Sequence, residues 1–221
     1  MPTSPEAAAV ARSLAEISTS LQRWSVSLGH SLAAHRGTLN AAAIERAVKP
    51  TVAEVLKADD SVVSGGGFIA APGLLNSDRY YMAWWQGTGV DRVDPIANLS
   101  DAARGRYLTA DWYVTPISTG HMAITGPYVD LLCTDEFSIT YTAAVDTYRP
   151  DGPAGVVGFD VTVAALEHRI LTSLKTVSPG AALVNSEDRA IVTSSPLVAP
   201  GEFIRDSAQR WDVGHGLSIV A

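Results

Sequence analysis

The sequence has one cysteine, Cys133, among its 221 residues. A single cysteine excludes an intrachain disulfide and leaves a cysteine-based zinc site without enough ligands. Positive charge is also scarce: the chain has 16 lysine and arginine residues and 23 aspartate and glutamate residues, which gives a formal net charge of −7. Such a chain repels phosphate backbones. We therefore expect no contact with nucleic acid, and we interpret Cys133 as a small core residue.

Long hydrophobic runs are missing as well. No segment approaches the ~20 apolar residues that a membrane-spanning helix needs, and the N-terminus lacks the basic and apolar segments of a signal peptide. If Met1 is the native start, we expect a cytoplasmic protein; if the chain has been trimmed of membrane segments, we expect an extracytoplasmic one. Hydrophobic residues make up 47% of the chain, which is enough for a substantial core.

The signatures of common catalytic and cofactor sites are absent too. Gly65-Gly66-Gly67 is not part of a phosphate-binding loop motif, so we interpret it as a place of close strand packing. No G-x-S-x-G or H-E-x-x-H motif occurs, and His30 and His35 are spaced so that they face different sides of a helix. We therefore expect no metal, no cofactor and no enzymatic activity.

Residues 5 to about 58 are rich in alanine and predict two helices. The first carries an apolar stripe at alternating spacings of four and three, formed by Val10, Leu14, Ile17, Leu21, Trp24 and Leu28. Gly37 is expected to end it, Thr38 to cap the second helix, and Pro50 to bend or divide that helix. The stripe is compatible with packing on its own domain and with a homodimer through the N-terminal helices.

From Ser61 onward the pattern is typical of strands. We predict strands at 61–71, 80–86, 137–147, 156–162, 181–185, 190–194 and 217–220, a short helix at 100–106 and an amphipathic helix at 163–176. Turn residues join the strands, notably at 149–153. Consecutive antiparallel strands with helices gathered to one side indicate an α+β domain. We place the N-terminal helices in residues 1–58 and a ligand-binding domain in residues 59–221.

Aromatic and acidic residues recur in four short blocks. These are Asp111-Trp112-Tyr113, Gly126-Pro127-Tyr128-Val129-Asp130, Ile139-Thr140-Tyr141-Thr142 and Gly155-Val156-Val157-Gly158-Phe159-Asp160. We expect each block to place a ring or a carboxylate where a strand meets a loop. Aromatic faces attract cations, and half-buried carboxylates need a cationic partner. The blocks therefore favour a pocket for a small amine over the alternative of core rings and turn-capping aspartates.

With these blocks, residues 61 to 195 resemble the Cache family of bacterial sensor domains. The resemblance implies a PAS-like antiparallel sheet with flanking helices and a long helical N-terminal extension. It also implies that an arginine and a Trp-Tyr pair hold the carboxylate end of an amino-acid ligand, whereas a Tyr-x-Asp and a later aspartate hold its ammonium. Trp112 and Tyr113 match the aromatic pair. Tyr128 and Asp130 match the Tyr-x-Asp, and Asp160 matches the later aspartate.

One position departs from the family pattern. Ala110 stands where the family has its arginine, and loss of a bidentate guanidinium removes about 1.5–3 kcal/mol of charge-assisted hydrogen bonding. The ligand is therefore either an amine without a carboxylate or an amino acid whose carboxylate meets Arg79, Arg106 or His121. Of Trp84 and Trp85, only one can line the pocket, because neighbouring strand residues face opposite ways. The predicted ligand-binding residues are Trp84, Trp112, Tyr113, Tyr128, Asp130, Tyr141 and Asp160.

The preferred hypothesis is a sensor domain that binds a small amine or amino acid and passes a change in shape to a partner. The sequence shows no kinase, methyl-accepting or DNA-binding segment, so we expect the output to come from a separate protein. An enzyme that acts on small amines with Asp130 or Asp160 as its base is one alternative. A structural dimer with a vestigial pocket is the other.

Overall fold

The computed structural model describes residues 4–75, 81–94, 100, 105, 109–129, 136–147 and 152–221. Its helices are α1 (Pro5–Ala33), α2 (Ala41–Lys57), α3 (Asp111–Thr119) and α4 (Val163–Val177). Its strands are β1 (Val63–Ala70), β2 (Met82–Gln86), β3 (Asp91–Val93), β4 (Ala123–Val129), β5 (Phe137–Val145), β6 (Gly155–Thr162), β7 (Ala182–Val184), β8 (Ala190–Thr193), β9 (Arg210–Gly214) and β10 (Leu217–Val220). This α+β architecture confirms the predicted fold class.

The strands form two sheets. Six strands have the order β3-β2-β1-β6-β5-β4, and four have the order β8-β7-β10-β9. In the larger sheet β1 pairs antiparallel with β2, and β2 with β3. In the smaller one β10 pairs antiparallel with both β7 and β9, and β7 with β8. The hairpin predicted from 181–185 and 190–194 is therefore present.

The chain divides into two compact units. The first contains residues 1–19, 124–139 and 161–221, and the second contains residues 20–123 and 140–160. The first unit holds α4 and the smaller sheet, whereas α2, α3 and β1 to β3 belong to the second. The division at residue 58 stays a prediction.

The apolar stripe of α1 is buried by the chain itself. Its six side chains, Val10, Leu14, Ile17, Leu21, Trp24 and Leu28, are only 0–5% exposed. In the second unit, Trp24 stacks on Phe159 of β6 with ring centroids 5.2 Å apart. A Cβ atom at Gly29 would lie 2.2 Å from the carbonyl oxygen of Asp146, so this glycine allows close approach and does not end α1. The stripe therefore packs on its own chain, and a homodimer would need another face.

The second helix differs from its prediction at its N-cap, and Pro50 does not divide it. Asn40, not Thr38, is the N-cap of α2, and its Oδ1 accepts a hydrogen bond of 2.9 Å from the Ala43 backbone N–H. The helix then runs through Pro50 to Lys57 without a division. Asn and Thr are both good capping residues, so the sequence pattern alone did not select between them.

Three strands were not predicted from the sequence. β4 contains Gly126-Pro127, a pair that is typical of turns, and it lies at the edge of the larger sheet, where a residue without an N–H is tolerated. β3 has three residues, and β9 alternates charged with apolar residues over a short span. Short or interrupted segments of this kind carry little periodic signal.

Several predictions fall on residues outside the described ranges. They concern Cys133, most of the short helix at 100–106, and residues 149–151 of the predicted turn. Among the helices that the structure describes, none is long and apolar enough to cross a bilayer, although α1 has 29 residues.

The packing of α1 can be tested with two substitutions on the same helix. Leu21 is fully buried, so Leu21→Ala removes apolar contacts and should lower the free energy of unfolding by about 2–5 kcal/mol. Val26 is 57% exposed, and Val26→Ala should change it by less than about 0.5 kcal/mol. Urea unfolding followed by circular dichroism measures both. Equal effects of the two substitutions would contradict the packing of this stripe on its own chain.

Candidate ligand-binding site

One face of the larger sheet collects most of the candidate residues of the second unit. Side chains alternate between the two faces along each strand. Trp84 of β2 is the register partner of Gly67 of β1, so both face the same side. A Cβ atom at Gly65, two residues away on that side, would lie 3.1 Å from Trp84 Nε1 and 3.4 Å from Asp160 Oδ2. The indole N–H and the carboxylate therefore flank one point on this face.

The indole of Trp84 lies across glycines of two neighbouring strands. A Cβ atom at Gly67 would lie 2.6 Å from its Cε3, and a Cβ atom at Gly158 of β6 would lie 3.0 Å from its Cη2. A side chain at Gly67 would thus displace the ring, and one at Gly158 would press against it. The run Gly65-Gly66-Gly67 therefore belongs to a strand that packs closely on its neighbours, as predicted.

Trp84, and not Trp85, shares the face of Asp160. Trp85 is the register partner of Arg92 on β3, and the Arg92 guanidinium carbon lies 5.3 Å from its ring centroid. Arg92 Nε in turn donates a 3.3 Å hydrogen bond to Glu45 Oε1 of α2. Trp85 therefore belongs to the packing on the α2 side of the sheet.

The side chain of Asp160 is held by the neighbouring strand. The Thr140 hydroxyl of β5 donates a short hydrogen bond of 2.6 Å to Asp160 Oδ1, of the kind that carboxylates accept. The Ser64 hydroxyl of β1 donates to the backbone carbonyl of Asp160 at 3.2 Å. Thr140 is 4% exposed, whereas Asp160 is partly exposed. One carboxylate oxygen is therefore anchored by Thr140, and Oδ2 lies 3.4 Å from the position that a Cβ atom at Gly65 would take.

Trp112 and Tyr113 lie in the first turn of α3, which corrects the expectation that they end a strand. Their rings meet edge to face, with centroids 5.9 Å apart and an interplanar angle of 81°. Burial raises the pKa of Tyr113 from 10.0 to about 12, so its phenol keeps its proton at neutral pH. Trp112 packs against an apolar cluster that contains Tyr113, Trp84, Ile69, Met82 and Val156.

The position at which the family pattern has an arginine lies at the start of α3. Ala110 is the N-cap residue of α3, and it has no side chain that caps the helix. Of the cations considered in its place, Arg79 and Arg106 fall outside the described ranges. His121 is exposed in the turn after α3, where its backbone N–H donates a 3.1 Å hydrogen bond to Thr119 Oγ1.

Of the other predicted binding residues, Tyr141 points away from this face. Tyr141 stands between Thr140 and Thr142 on β5, so its ring projects to the opposite side, where it is fully buried and its pKa is raised by that burial. Tyr128 lies on β4 and belongs to the first unit. Asp130 is outside the described residues. The face therefore joins Trp84, Trp112, Tyr113 and Asp160.

Two features of the face were not anticipated from the sequence. Thr140 is an ordinary strand residue, and only the neighbouring position of β5 and β6 in the sheet brings its hydroxyl to Asp160. A Cβ atom at Gly65 would lie 3.4 Å from Asp160 Oδ2, and the glycine run did carry a signal for this close approach. That run was interpreted as close packing only, because its partner strands were not known.

The environment of Tyr113 can be tested by titration. In the folded chain this phenol keeps a proton that the unfolded chain loses above its ordinary pKa of 10.0, so stability falls as the pH rises from 10.0 towards about 12. Tyr113→Phe should remove a phenolate absorbance change whose midpoint is at a pH of about 12. It should also reduce the loss of stability over this pH range. In Tyr141→Phe the Tyr113 transition should persist. Loss of a transition near pH 10.0 in Tyr113→Phe would contradict the buried position of this phenol.

Comparison with known proteins gives a fold but no sequence relative. No family model matches the chain, and neither does a curated protein. The extracellular domain described as that of a histidine kinase, soHK1S-Z6, is similar with a TM-score of 0.62 and 14% identity over 87% of this chain and 68% of that chain. Methyl-accepting chemotaxis protein X is similar with a TM-score of 0.63 and 19% identity over 90% and 73% of the two chains.

A third similar structure comes from Campylobacter jejuni. It is the sensory domain of the chemoreceptor Tlp3 with isoleucine bound, and it has a TM-score of 0.57 and 15% identity over 86% of this chain and 70% of that chain. Two of the three are described as a sensory domain and a chemotaxis protein, and the other is described as the extracellular domain of a histidine kinase. The chain therefore has the PAS-like Cache fold of these sensory domains, as the sequence resemblance implied.

Proposed function

We propose that the chain is a sensor domain that binds a small ammonium-bearing ligand on the face formed by Trp84, Trp112, Tyr113 and Asp160. The observation that carries this proposal is the position of Asp160, whose Oδ2 flanks the same point as the Trp84 indole while Thr140 holds Oδ1. A carboxylate beside aromatic rings is an environment that favours a cation. A primary ammonium offers the donors that this carboxylate accepts.

The similar structures support a ligand-binding role. Tlp3 of Campylobacter jejuni is described with isoleucine, norvaline and valine bound, and each of these ligands carries an ammonium. A fold supports many functions, so the ligand class is argued here from the side chains of this chain. Asp160 is the described carboxylate that stands beside Trp84, and it is the acceptor that we assign to the ammonium.

The strand that carries Asp160 also offers a route from the ligand to α1. Asp160 faces the proposed ligand, whereas the preceding residue, Phe159, points to the other side of β6 and stacks on Trp24 of α1. A ligand that draws the Asp160 carboxylate moves the same segment of backbone that positions Phe159. We propose that this displacement changes the packing of α1 and is read by a separate output protein.

The charge of Asp160 is the first thing to test. Asp160→Asn keeps the shape of the side chain but removes the charge, and a hydrogen bond to a charged group contributes about 1.5–3 kcal/mol, or about 10- to 150-fold in affinity. A thermal-shift screen of amines, amino alcohols and amino acids identifies ligands, and calorimetry then measures their affinities. Asp59→Asn, at an exposed turn position, is the control and should change nothing. If no ammonium compound raises the melting temperature, the proposal is wrong.

The anchoring role of Thr140 gives a second test. Thr140→Val removes the hydroxyl that holds Asp160 Oδ1 and should weaken ligand binding by about 2- to 10-fold, less than the loss of a charge-assisted hydrogen bond, because Thr140 acts on the ligand through Asp160. Thr140→Ser should restore most of the affinity, because it restores the donor. Thr142→Val, two residues along the same face, is the matched control and should leave the affinity unchanged. Failure of Thr140→Ser to differ from Thr140→Val would contradict the anchoring role.

A further inference from the structure

The smaller sheet has two edge strands, and the chain covers them differently. At β8 the Gly201 N–H donates a 2.7 Å hydrogen bond to the Ala190 carbonyl, and the Ala190 N–H donates a 2.8 Å hydrogen bond to the Glu202 carbonyl. The strand β9 pairs with β10 on one side, and among the described residues no strand pairs with it on the other. A strand edge without a partner is a template on which another strand can pair.

The hydrogen bonds between β9 and β10 show which groups of β9 point away from β10. Gln209 and Ala221 exchange two backbone hydrogen bonds, of 3.0 and 3.1 Å, so they are a hydrogen-bonded pair of the antiparallel ladder. Along such a ladder, hydrogen-bonded pairs alternate with pairs that exchange no hydrogen bonds. Trp211 therefore bonds to β10, whereas Arg210 and Asp212 direct their backbone N–H and C=O groups to the outer edge.

The side chains at this edge carry opposite charges. Arg210 and Asp212 are both exposed and lie on one face of the sheet, whereas Trp211 lies on the other face. The Arg210 guanidinium contacts Asp188 Oδ1 of its own chain, but it has five N–H donors and can serve a second carboxylate. Asp212 Oδ1 accepts a 2.8 Å hydrogen bond from the Gly214 N–H. A bulge follows Asp212, so the regular part of the edge is Arg210-Trp211-Asp212.

Two copies of this edge can pair around a two-fold axis in few registers. Opposite residues must both direct their backbone groups to the shared edge or both away from it, so the axis passes through a residue and not between two. An axis at Arg210 places this residue opposite itself, an axis at Asp212 does the same for the aspartate, and like charges directly opposite are destabilising. An axis at Trp211 places Arg210 of each copy opposite Asp212 of the other. The charges of β9 therefore favour this one register.

We propose that two copies of this chain join through β9, with Trp211 of each copy at the two-fold axis. Arg210 of one copy and Asp212 of the other then exchange backbone hydrogen bonds and form an ion pair, and the symmetry repeats this contact once. The two Trp211 side chains form an aromatic pair across the axis. The four-stranded sheets of the two copies become one continuous sheet. The contact does not depend on the proposed ligand.

Reversal of the two charges tests this register by sedimentation velocity on the full chain. Arg210→Asp and Asp212→Arg each place like charges opposite each other, so each variant alone should associate at least about 10-fold more weakly than the unchanged chain. An equimolar mixture of the two variants again places opposite charges together and should restore association. Lys175→Asp and Asp59→Arg make the same charge changes at exposed positions outside β9, and they should associate like the unchanged chain.

A disulfide across the axis gives a second test that does not depend on charge. Opposite residues that exchange no hydrogen bonds have Cα atoms about 4.5 Å apart, within the range of about 4.4–6.8 Å that a disulfide spans. Trp211→Cys, in a chain that also carries Cys133→Ser, should therefore form a covalent dimer on oxidation. Arg210→Cys in the same chain is the matched control, because it lies opposite Asp212 and not opposite itself, and it should cross-link far less.

The contact is small and therefore expected to be weak, so association is measured up to a chain concentration of about 1 mM. A chain that stays monomeric at that concentration overturns the proposal. A dimer that neither charge variant weakens also overturns it, because the copies then meet elsewhere, and so does a mixture that associates no better than its two components. Equal cross-linking of Arg210→Cys and Trp211→Cys contradicts the register. Circular dichroism checks that each variant is folded, and where a charge variant is not, the cross-link decides.

Discussion

The packing of the Trp84 indole onto glycines is the contact on which the candidate site depends. Side chains at Gly67 and Gly158 would come within 2.6 and 3.0 Å of the ring, so the indole keeps its place because two neighbouring strands lack side chains there. That place puts Nε1 beside Asp160 Oδ2 at the position of Gly65. At Gly65, Gly67 and Gly158 the absence of a side chain therefore allows the indole and the carboxylate to lie close to the neighbouring strands.

Strand alternation then connects this face with the rest of the second unit. Because neighbouring residues point to opposite sides, β6 presents Asp160 to the proposed ligand and Phe159 to Trp24 of α1. On β5, the same rule sends Thr140 towards Asp160 and buries Tyr141 on the other side. A sheet built in this way is a single layer that carries the proposed ligand-binding face on one side and packs on a helix on the other.

The sequence predicted the parts of the molecule that depend on periodic patterns. The stripe of α1, the long strands β5 and β6, and α4 repeat one spacing over many residues, and the structure contains all of them. Features that depend on pairing between distant segments were not accessible. The hydrogen bond from Thr140 to Asp160 requires β5 beside β6, and the choice between Trp84 and Trp85 requires the register of β1 with β2. For the same reason motif matching found Asp160 but not its anchor.

The fold and the ligand are set by different parts of the chain. Solved domains that are 14–19% identical to this chain share its fold, so the fold alone does not determine the ligand. In this chain the N-cap of α3 is Ala110, which brings no charged group to that position, while the Trp84 indole lies on the sheet face of Asp160. The ligand therefore has to be assigned from the side chains of this sheet face and not from the fold that it shares with the solved domains.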